Sequence, residues 1–84
     1  EQVMLGAFRS TGQKCTATSR LIVTAGIADE FLDALLQQAR ALRVGDPTDD
    51  ATQMGPVVSD AAQQSISAGI DTAMAQGAVV LAGG

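Results

Sequence analysis

The amino-acid sequence predicts an α/β fold in which these residues form part of a larger, mainly parallel sheet covered by helices. Amphipathic stretches at helical spacing alternate with two short apolar runs, "RLIVTA" (residues 20–25) and "AVVLAGG" (residues 78–84). Both runs are apolar on both faces, a pattern typical of parallel strands buried between helices. Two such strands cannot cover each other, so we expect further strands and helices beside them.

The beginning of the chain predicts a helix, a loop and a strand. Four apolar residues recur at helical spacing: Val3, Met4, Ala7 and Phe8. The "STG" of residues 10–12 interrupts this pattern and opens a polar, basic loop that holds the only cysteine, Cys15. The apolar run of residues 20–25 then predicts the first buried strand.

Residues 26–45 predict an amphipathic helix. Its apolar residues lie on one stripe: Phe31, Leu32, Leu35, Leu36, Ala39 and Leu42. Acidic residues crowd the first turn, and Arg40 and Arg43 lie in the last, which complements the helix dipole. Gly45 ends the pattern, and Pro47 prevents the helix from resuming.

The remaining residues predict a loop, a helix and the second strand. Residues 46–58 combine Asp-Pro and Gly-Pro pairs with few apolar anchors, which is typical of a loop. Ser59 is a suitable N-cap for a helix with four-residue apolar spacing that ends at Gly77. Residues 78–84 follow as the second apolar run.

Composition excludes several classes of function. The formal net charge is −4 and the five basic residues are scattered, which argues against nucleic-acid binding. One cysteine and no histidine exclude an internal disulfide and a zinc site of the usual Cys/His type. No apolar run approaches the roughly 18 residues needed to cross a bilayer, and we expect a cytoplasmic protein without leader or membrane contact.

Cys15 is the main candidate for chemistry. A thiol of ordinary pKa, about 8.5, is only slightly ionised at neutral pH, so a nucleophile needs groups that stabilise its anion. Lys14 adjoins Cys15, and loop N–H groups after Gly12 could face a developing charge. With no histidine present, any base must be a carboxylate or lie outside these residues. The alternative, a small buried residue without chemistry, is the commoner role of an intracellular cysteine.

The sequence resembles the aldehyde dehydrogenase superfamily around and after its catalytic cysteine, over essentially all 84 residues. The motifs that carry the resemblance are Gly12-Gln13-x-Cys15, Ser19-Arg20, Gly45-Asp46-Pro47 and Gly55-Pro56. The resemblance implies that residues 1–84 are a partial catalytic domain within a doubly wound, Rossmann-like sheet. The cofactor domain and the remainder of such an enzyme would lie outside these residues.

By this resemblance, Cys15 attacks an aldehyde to give a thiohemiacetal, and hydride transfer to NAD or NADP leaves a thioester that water releases as a carboxylate. The backbone N–H of Cys15 and an asparagine side chain would hold the oxyanion. That asparagine, the general-base glutamate and the cofactor-binding residues lie upstream in the family, so residues 1–84 alone are predicted to be inactive. Relatives are usually homodimers or homotetramers.

The resemblance also suggests substrate-binding residues. Many relatives have an aromatic or apolar residue at the position of Arg9, which tends to line the substrate tunnel. We hypothesise that Arg9 binds a carboxylate of the substrate, with Lys14 as the weaker candidate, because a charged hydrogen bond is worth about 1.5 to 3 kcal/mol. A solvated helix-end cation is an equal alternative for Arg9. Thr16 would line the pocket beside the sulfur or cap a backbone group, and Gln13 would hold the loop.

Taken as a whole, "FRSTGQKCTATSR" (residues 8–20) is most like dehydrogenases of 2-oxoglutarate semialdehyde. The resemblance therefore predicts oxidation of a small acidic semialdehyde. Two alternatives stay open at this point. One is a coenzyme A-acylating semialdehyde dehydrogenase, and the other is a non-catalytic relative with a structural role.

Overall fold

The computed structural model describes residues 1–84 and contains three α-helices joined by irregular segments. Helix α1 comprises Gln2–Phe8, α2 comprises Ala28–Arg40 and α3 comprises Asp60–Ala75. Short 3-10 turns at Arg9–Gly12 and Ala25–Ile27 follow α1 and precede α2. The three predicted helices are thus confirmed, but α2 ends at Arg40, so Leu42 of the apolar stripe and Arg43, predicted in the last turn, lie beyond it.

Both ends of α3 carry the signals that the sequence predicts. The Ser59 hydroxyl accepts a hydrogen bond from the Ala62 N–H at 3.1 Å, which satisfies one of the free donors at the helix start. At the other end Gly77 has a φ of 102°. This left-handed residue turns the chain so that the Ala78 N–H reaches the Ala73 carbonyl at 2.9 Å.

The two predicted strands are not formed. The only β pairing in the chain is an isolated parallel bridge between Val44 and Met54. A strand is held by hydrogen bonds to a neighbouring strand, and residues 20–24 and 78–84 make no such bonds to each other. Ile22 and Val79 are consequently 97% and 78% exposed. The predicted parallel sheet is therefore not confirmed within these residues.

The helices pack loosely. No residue is buried, and the radius of gyration is 13.9 Å, compared with about 12 Å for a compact domain of this length. One contact ties the end of the chain to α2, since the Arg40 Nη2 donates to the Leu81 carbonyl at 3.0 Å. No helix combines the length and the apolar character required to pass through a membrane.

The segment after α2 folds back on itself. The Arg43 carbonyl accepts hydrogen bonds from the N–H groups of Gln53 and Met54, at 2.7 and 3.1 Å. In return the Gln53 Oε1 accepts from the Arg43 N–H at 3.0 Å, and the Met54 carbonyl accepts from the Gly45 N–H at 3.1 Å. These bonds anchor the chain at Met54, immediately before residues 55–58.

Within this segment, Asp46 forms a small hydrogen-bonded turn with Thr48. The Asp46 Oδ1 accepts from the Thr48 N–H at 2.9 Å and from the Thr48 hydroxyl at 2.7 Å. These bonds, the backbone one first, hold the pKa of the Asp46 carboxyl below its ordinary value of 3.8 because they stabilise the charged form.

Candidate active site

Cys15 lies in a tight turn of residues 14–17, which we call the cysteine turn. The Ala17 N–H donates to the Lys14 carbonyl at 2.9 Å and closes the turn, so that Cys15 and Thr16 are its two central residues. The thiol is free and exposed, and the side chains of Lys14 and Thr16 are exposed beside it. Three of the four predicted site residues therefore occupy one exposed turn.

The backbone N–H groups at and next to Cys15 are unpaired. The N–H groups of Lys14, Cys15 and Thr16 donate no hydrogen bond within the chain. An N–H group that is free and next to a nucleophile can donate to an oxygen that becomes negative during attack on a carbonyl. The geometry of the turn thus leaves the predicted oxyanion donor, the Cys15 N–H, available.

The chain enters the cysteine turn through an unusual stretch of backbone. Ser10, Thr11 and Gly12 have φ values of 54°, 58° and 70°, so three successive residues are left-handed. This conformation costs roughly 1 to 2 kcal/mol for a residue with a Cβ, and it is rarest for β-branched side chains. Gly12 has a second constraint, because a Cβ at that position would lie 3.1 Å from the Ala7 carbonyl oxygen.

Two side chains in this stretch reach a distant part of the chain. The Thr11 hydroxyl donates to the Gly55 carbonyl at 3.3 Å, and it lies 3.5 Å from the Pro56 carbonyl. The Gln13 Oε1 accepts from the Val58 N–H at 2.9 Å. Residues 55–58 therefore form a support for the entry to the cysteine turn.

The exit from the turn is held by α1. The Thr18 N–H donates to the Gly6 carbonyl at 3.0 Å. Helix α1 and the segment that leaves the turn approach so closely that a Cβ on Gly6 would lie 2.7 Å from the Thr18 Oγ1. Any larger residue at position 6 would displace the Thr18 side chain, which favours glycine at the point where the returning segment crosses the helix.

Arg9 occupies a different position from the cysteine turn. It is the C-cap residue of α1 and lines a cavity of about 570 Å³ between α1 and the end of α2. The cavity is also lined by Met4, Leu5, Phe8, Gln38, Leu42 and Arg43, and Cys15 is not among its residues. Within these 84 residues the structure therefore does not bring Arg9 and Cys15 into one pocket.

Comparison with known proteins decides the family. All 84 residues match the Aldehyde dehydrogenase family. The chain belongs to this family. It is 47% identical over 81 residues to betaine aldehyde dehydrogenase of Rhizobium etli, an alignment that covers 96% of the chain and 17% of the relative. It is 44% identical over 84 residues to the peroxisomal aminoaldehyde dehydrogenase 1 of Malus domestica, covering 100% of the chain and 17% of the relative.

A solved aldehyde dehydrogenase has the same local fold. The crystal structure of a betaine aldehyde dehydrogenase point mutant from Staphylococcus aureus, in complex with NAD+, superposes with a TM-score of 0.94 at 35% identity. The match covers 98% of this chain and 17% of that one. The chain thus has the fold of the corresponding part of an aldehyde dehydrogenase and spans 17% of the length of such relatives.

The aldehyde dehydrogenase motif around Cys15 is supported by residues to which sequence reasoning gave no role or only a general one. Gln13 was expected to hold the loop, and its bond to Val58 agrees with that expectation. The contribution of Thr11 and of the Gly55 carbonyl was missed. These partners are 44 residues apart, and no local pattern in the sequence indicates such a pairing.

Proposed function

We propose that the chain is the nucleophile-bearing part of an NAD-dependent aldehyde dehydrogenase. The observation that carries the proposal is the exposed thiol of Cys15 in a turn whose first three backbone N–H groups, those of residues 14–16, are free. Membership of the aldehyde dehydrogenase family supports the reaction type. Exposure does not distinguish Cys15 from an inert cysteine that the rest of the protein would bury, because none of the 84 residues is buried. The unpaired N–H groups beside Cys15 are what favours the nucleophile.

The chemistry begins at the sulfur. The Cys15 thiolate forms a C–S bond to the aldehyde carbon, and the electron pair of the C=O bond moves to the oxygen. The Cys15 N–H donates a hydrogen bond to that oxyanion, and Lys14 adds positive charge to the same turn. Loss of a hydride from the former aldehyde carbon then converts the thiohemiacetal into a thioester.

The cofactor would be held by the rest of the protein. The chain has no glycine-rich strand-turn-helix motif for a dinucleotide phosphate, so we assign none of its residues to the cofactor. When bound, NAD+ supplies the hydride acceptor, and the NAD+ complexes of the structural relatives favour it over NADP. Water activated by a glutamate outside these residues would release the carboxylate. In the alternative, a coenzyme A-acylating dehydrogenase, the thiol of coenzyme A would take the acyl group from Cys15 and leave as an acyl-coenzyme A thioester.

A longer polypeptide explains the exposed apolar surface. Residues 20–25 and 78–84 would join a doubly wound, mainly parallel sheet. The other elements of that protein would cover Ile22 and Val79, which are largely exposed in these 84 residues. In such an enzyme residues 1–84 form part of the catalytic domain and are inactive alone. We further propose a cytoplasmic homodimer or homotetramer.

Arg9 favours an acidic substrate. Arg9 donates no side-chain hydrogen bond within the chain, and together with Arg43 it lines a cavity that does not include Cys15. An acidic aldehyde would therefore have to extend from this cavity to the sulfur. In the full-length enzyme this charge would bind the carboxylate of a semialdehyde, such as 2-oxoglutarate semialdehyde, and would repel a cation. A second candidate, a cationic aldehyde, is favoured by the relatives named for betaine aldehyde and aminoaldehydes.

The test uses the full-length protein and follows reduction of NAD+. Cys15→Ala is expected to abolish turnover, and alkylation of the wild-type thiol without aldehyde or cofactor should abolish it as well. Turnover that survives either treatment would refute the nucleophile. Arg9→Gln should lower kcat/KM about 10- to 100-fold for an acidic aldehyde and leave a neutral aldehyde unchanged. A wild-type preference for cationic aldehydes would instead select the second candidate.

A further inference from the structure

We propose that Thr11 and Gln13 are positioning residues that set the direction of the cysteine turn by binding residues 55–58. This inference rests on the proposed nucleophilic role of Cys15. Neither side chain would touch the substrate. Each acts through the backbone: Thr11 lies four residues before Cys15, and Gln13 lies two residues before it.

The two contacts are complementary. Thr11 donates a hydrogen bond to the Gly55 carbonyl, and Gln13 accepts one from the Val58 N–H. The two bonds attach the entering chain at points three residues apart on the supporting segment. Two separate attachment points fix both the position and the rotation of the entering chain. A single bond would leave the entering chain free to pivot about it.

The cysteine turn cannot hold this direction by itself. Its only internal hydrogen bond joins Ala17 to Lys14, and its remaining N–H groups are free. The preceding left-handed stretch is strained at Thr11, and such strain persists only where surrounding contacts maintain it. Without the Thr11 and Gln13 bonds, the entry to the turn would relax towards a more favourable backbone conformation.

The supporting segment is itself anchored. Met54, immediately before Gly55, is hydrogen-bonded through its carbonyl to the Gly45 N–H and through its N–H to the Arg43 carbonyl. The position of the sulfur therefore depends on the clasp between residues 43–45 and 53–54. The coupling runs from this clasp through residues 55–58 to the cysteine turn.

Misplacement of a nucleophile by about 1 Å can reduce a rate about 100-fold, because attack requires a specific distance and angle to the carbonyl. Loss of either bond should therefore lower kcat more than it changes KM. A residue with a merely structural role would lower stability without this effect on kcat. The ratio of the two kinetic parameters separates the two roles.

The experiment uses the full-length enzyme and two isosteric substitutions, Gln13→Met and Thr11→Val. Each is expected to lower kcat about 10- to 100-fold with KM changed by less than about threefold. Thr11→Ser keeps the hydroxyl and should recover most of kcat. Thr72→Val is the matched control for Thr11→Val, because the Thr72 hydroxyl also donates to a backbone carbonyl, that of Ala68 at 2.9 Å, but within α3 and away from both the clasp and the cysteine turn.

The inference is overturned if Gln13→Met and Thr11→Val retain wild-type kcat, if Thr72→Val loses as much kcat as Thr11→Val, or if Thr11→Ser is as slow as Thr11→Val. Cys15→Ala in the same assay separates this failure from failure of the proposed function. If Cys15→Ala is inactive while Gln13→Met is fully active, only the positioning role is wrong. If Cys15→Ala still turns over, the nucleophile itself is wrong.

Discussion

Replacement of Gly6 by alanine gives the sharpest test of how α1 holds the exit from the cysteine turn. Glycine inside a helix is normally about 0.5 to 1 kcal/mol less stable than alanine. Helices α1 and α3 each contain one such residue, Gly6 and Gly69. A Cβ at Gly69 would meet no atom within 4 Å, whereas a Cβ at Gly6 would lie 2.7 Å from the Thr18 Oγ1. The same substitution should therefore have opposite effects at the two positions.

The magnitudes follow from these contacts. Gly69→Ala should stabilise the protein by the full helix propensity, about 0.5 to 1 kcal/mol. Gly6→Ala receives the same benefit but must displace Thr18, whose N–H is bonded to the Gly6 carbonyl at 3.0 Å. Overpacking of this kind costs about 1 to 3 kcal/mol. The net result for Gly6→Ala is a destabilisation between about zero and 2.5 kcal/mol.

Thermal unfolding of the full-length protein measures both variants under identical conditions. Addition of Thr18→Ala removes the Oγ1, and the remaining Thr18 Cβ contact of 3.7 Å is ordinary. The Gly6→Ala/Thr18→Ala protein should therefore be more stable than the Thr18→Ala protein alone. An unfolding midpoint of Gly6→Ala that rises as much as that of Gly69→Ala would refute the close crossing.

Three further predictions concern turns and caps. The Asp46 carboxyl should titrate below pH 3.8 in an NMR titration, and Thr48→Ala should return it towards that value. Because the folded pKa of Asp46 is depressed, the stability that its carboxylate contributes is present above the unfolded pKa of about 3.9. This stability is lost as the pH falls through the folded pKa. An unchanged Asp46 titration in Thr48→Ala would contradict the assignment of the shift to the Thr48 hydrogen bonds. Ser59→Ala should lower stability by about 1 kcal/mol while Ser59→Asp preserves it, as measured by urea unfolding. Gly12→Ala should cost more than Gly77→Ala in the same assay, because only Gly12 combines a left-handed φ with a close backbone oxygen.

The helices could be predicted from the sequence because their signals are local. The apolar stripe of α2 and the Ser59 and Gly77 caps each depend on residues within one or two turns of one another. The strands could not be confirmed in the same way, because a strand requires a neighbour. Apolar character in residues 20–25 predicts burial, but none of the 84 residues pairs with this segment as a strand or buries it.

The candidate site shows the same division between local and distant information. The loop that exposes Cys15 follows from its small and polar residues and from Gly12, all within one short stretch. The contacts of Thr11 with Gly55 and of Gln13 with Val58 join positions 44 and 45 residues apart. Gly55 and Pro56 are recognisable in the sequence as a loop breaker, but nothing local indicates that their carbonyls face Thr11.

The nucleophilic role proposed for Cys15 creates a structural problem that the distant contacts solve. The N–H groups beside Cys15 can stabilise an oxyanion only if they make no hydrogen bonds within the protein, and a turn without those bonds is poorly fixed. Rigidity must then come from the chain on either side. Gly6 supplies it at the exit by accepting the Thr18 N–H, and residues 55–58 supply it at the entry. The reactivity proposed for Cys15 therefore depends on packing that lies several residues away from the sulfur.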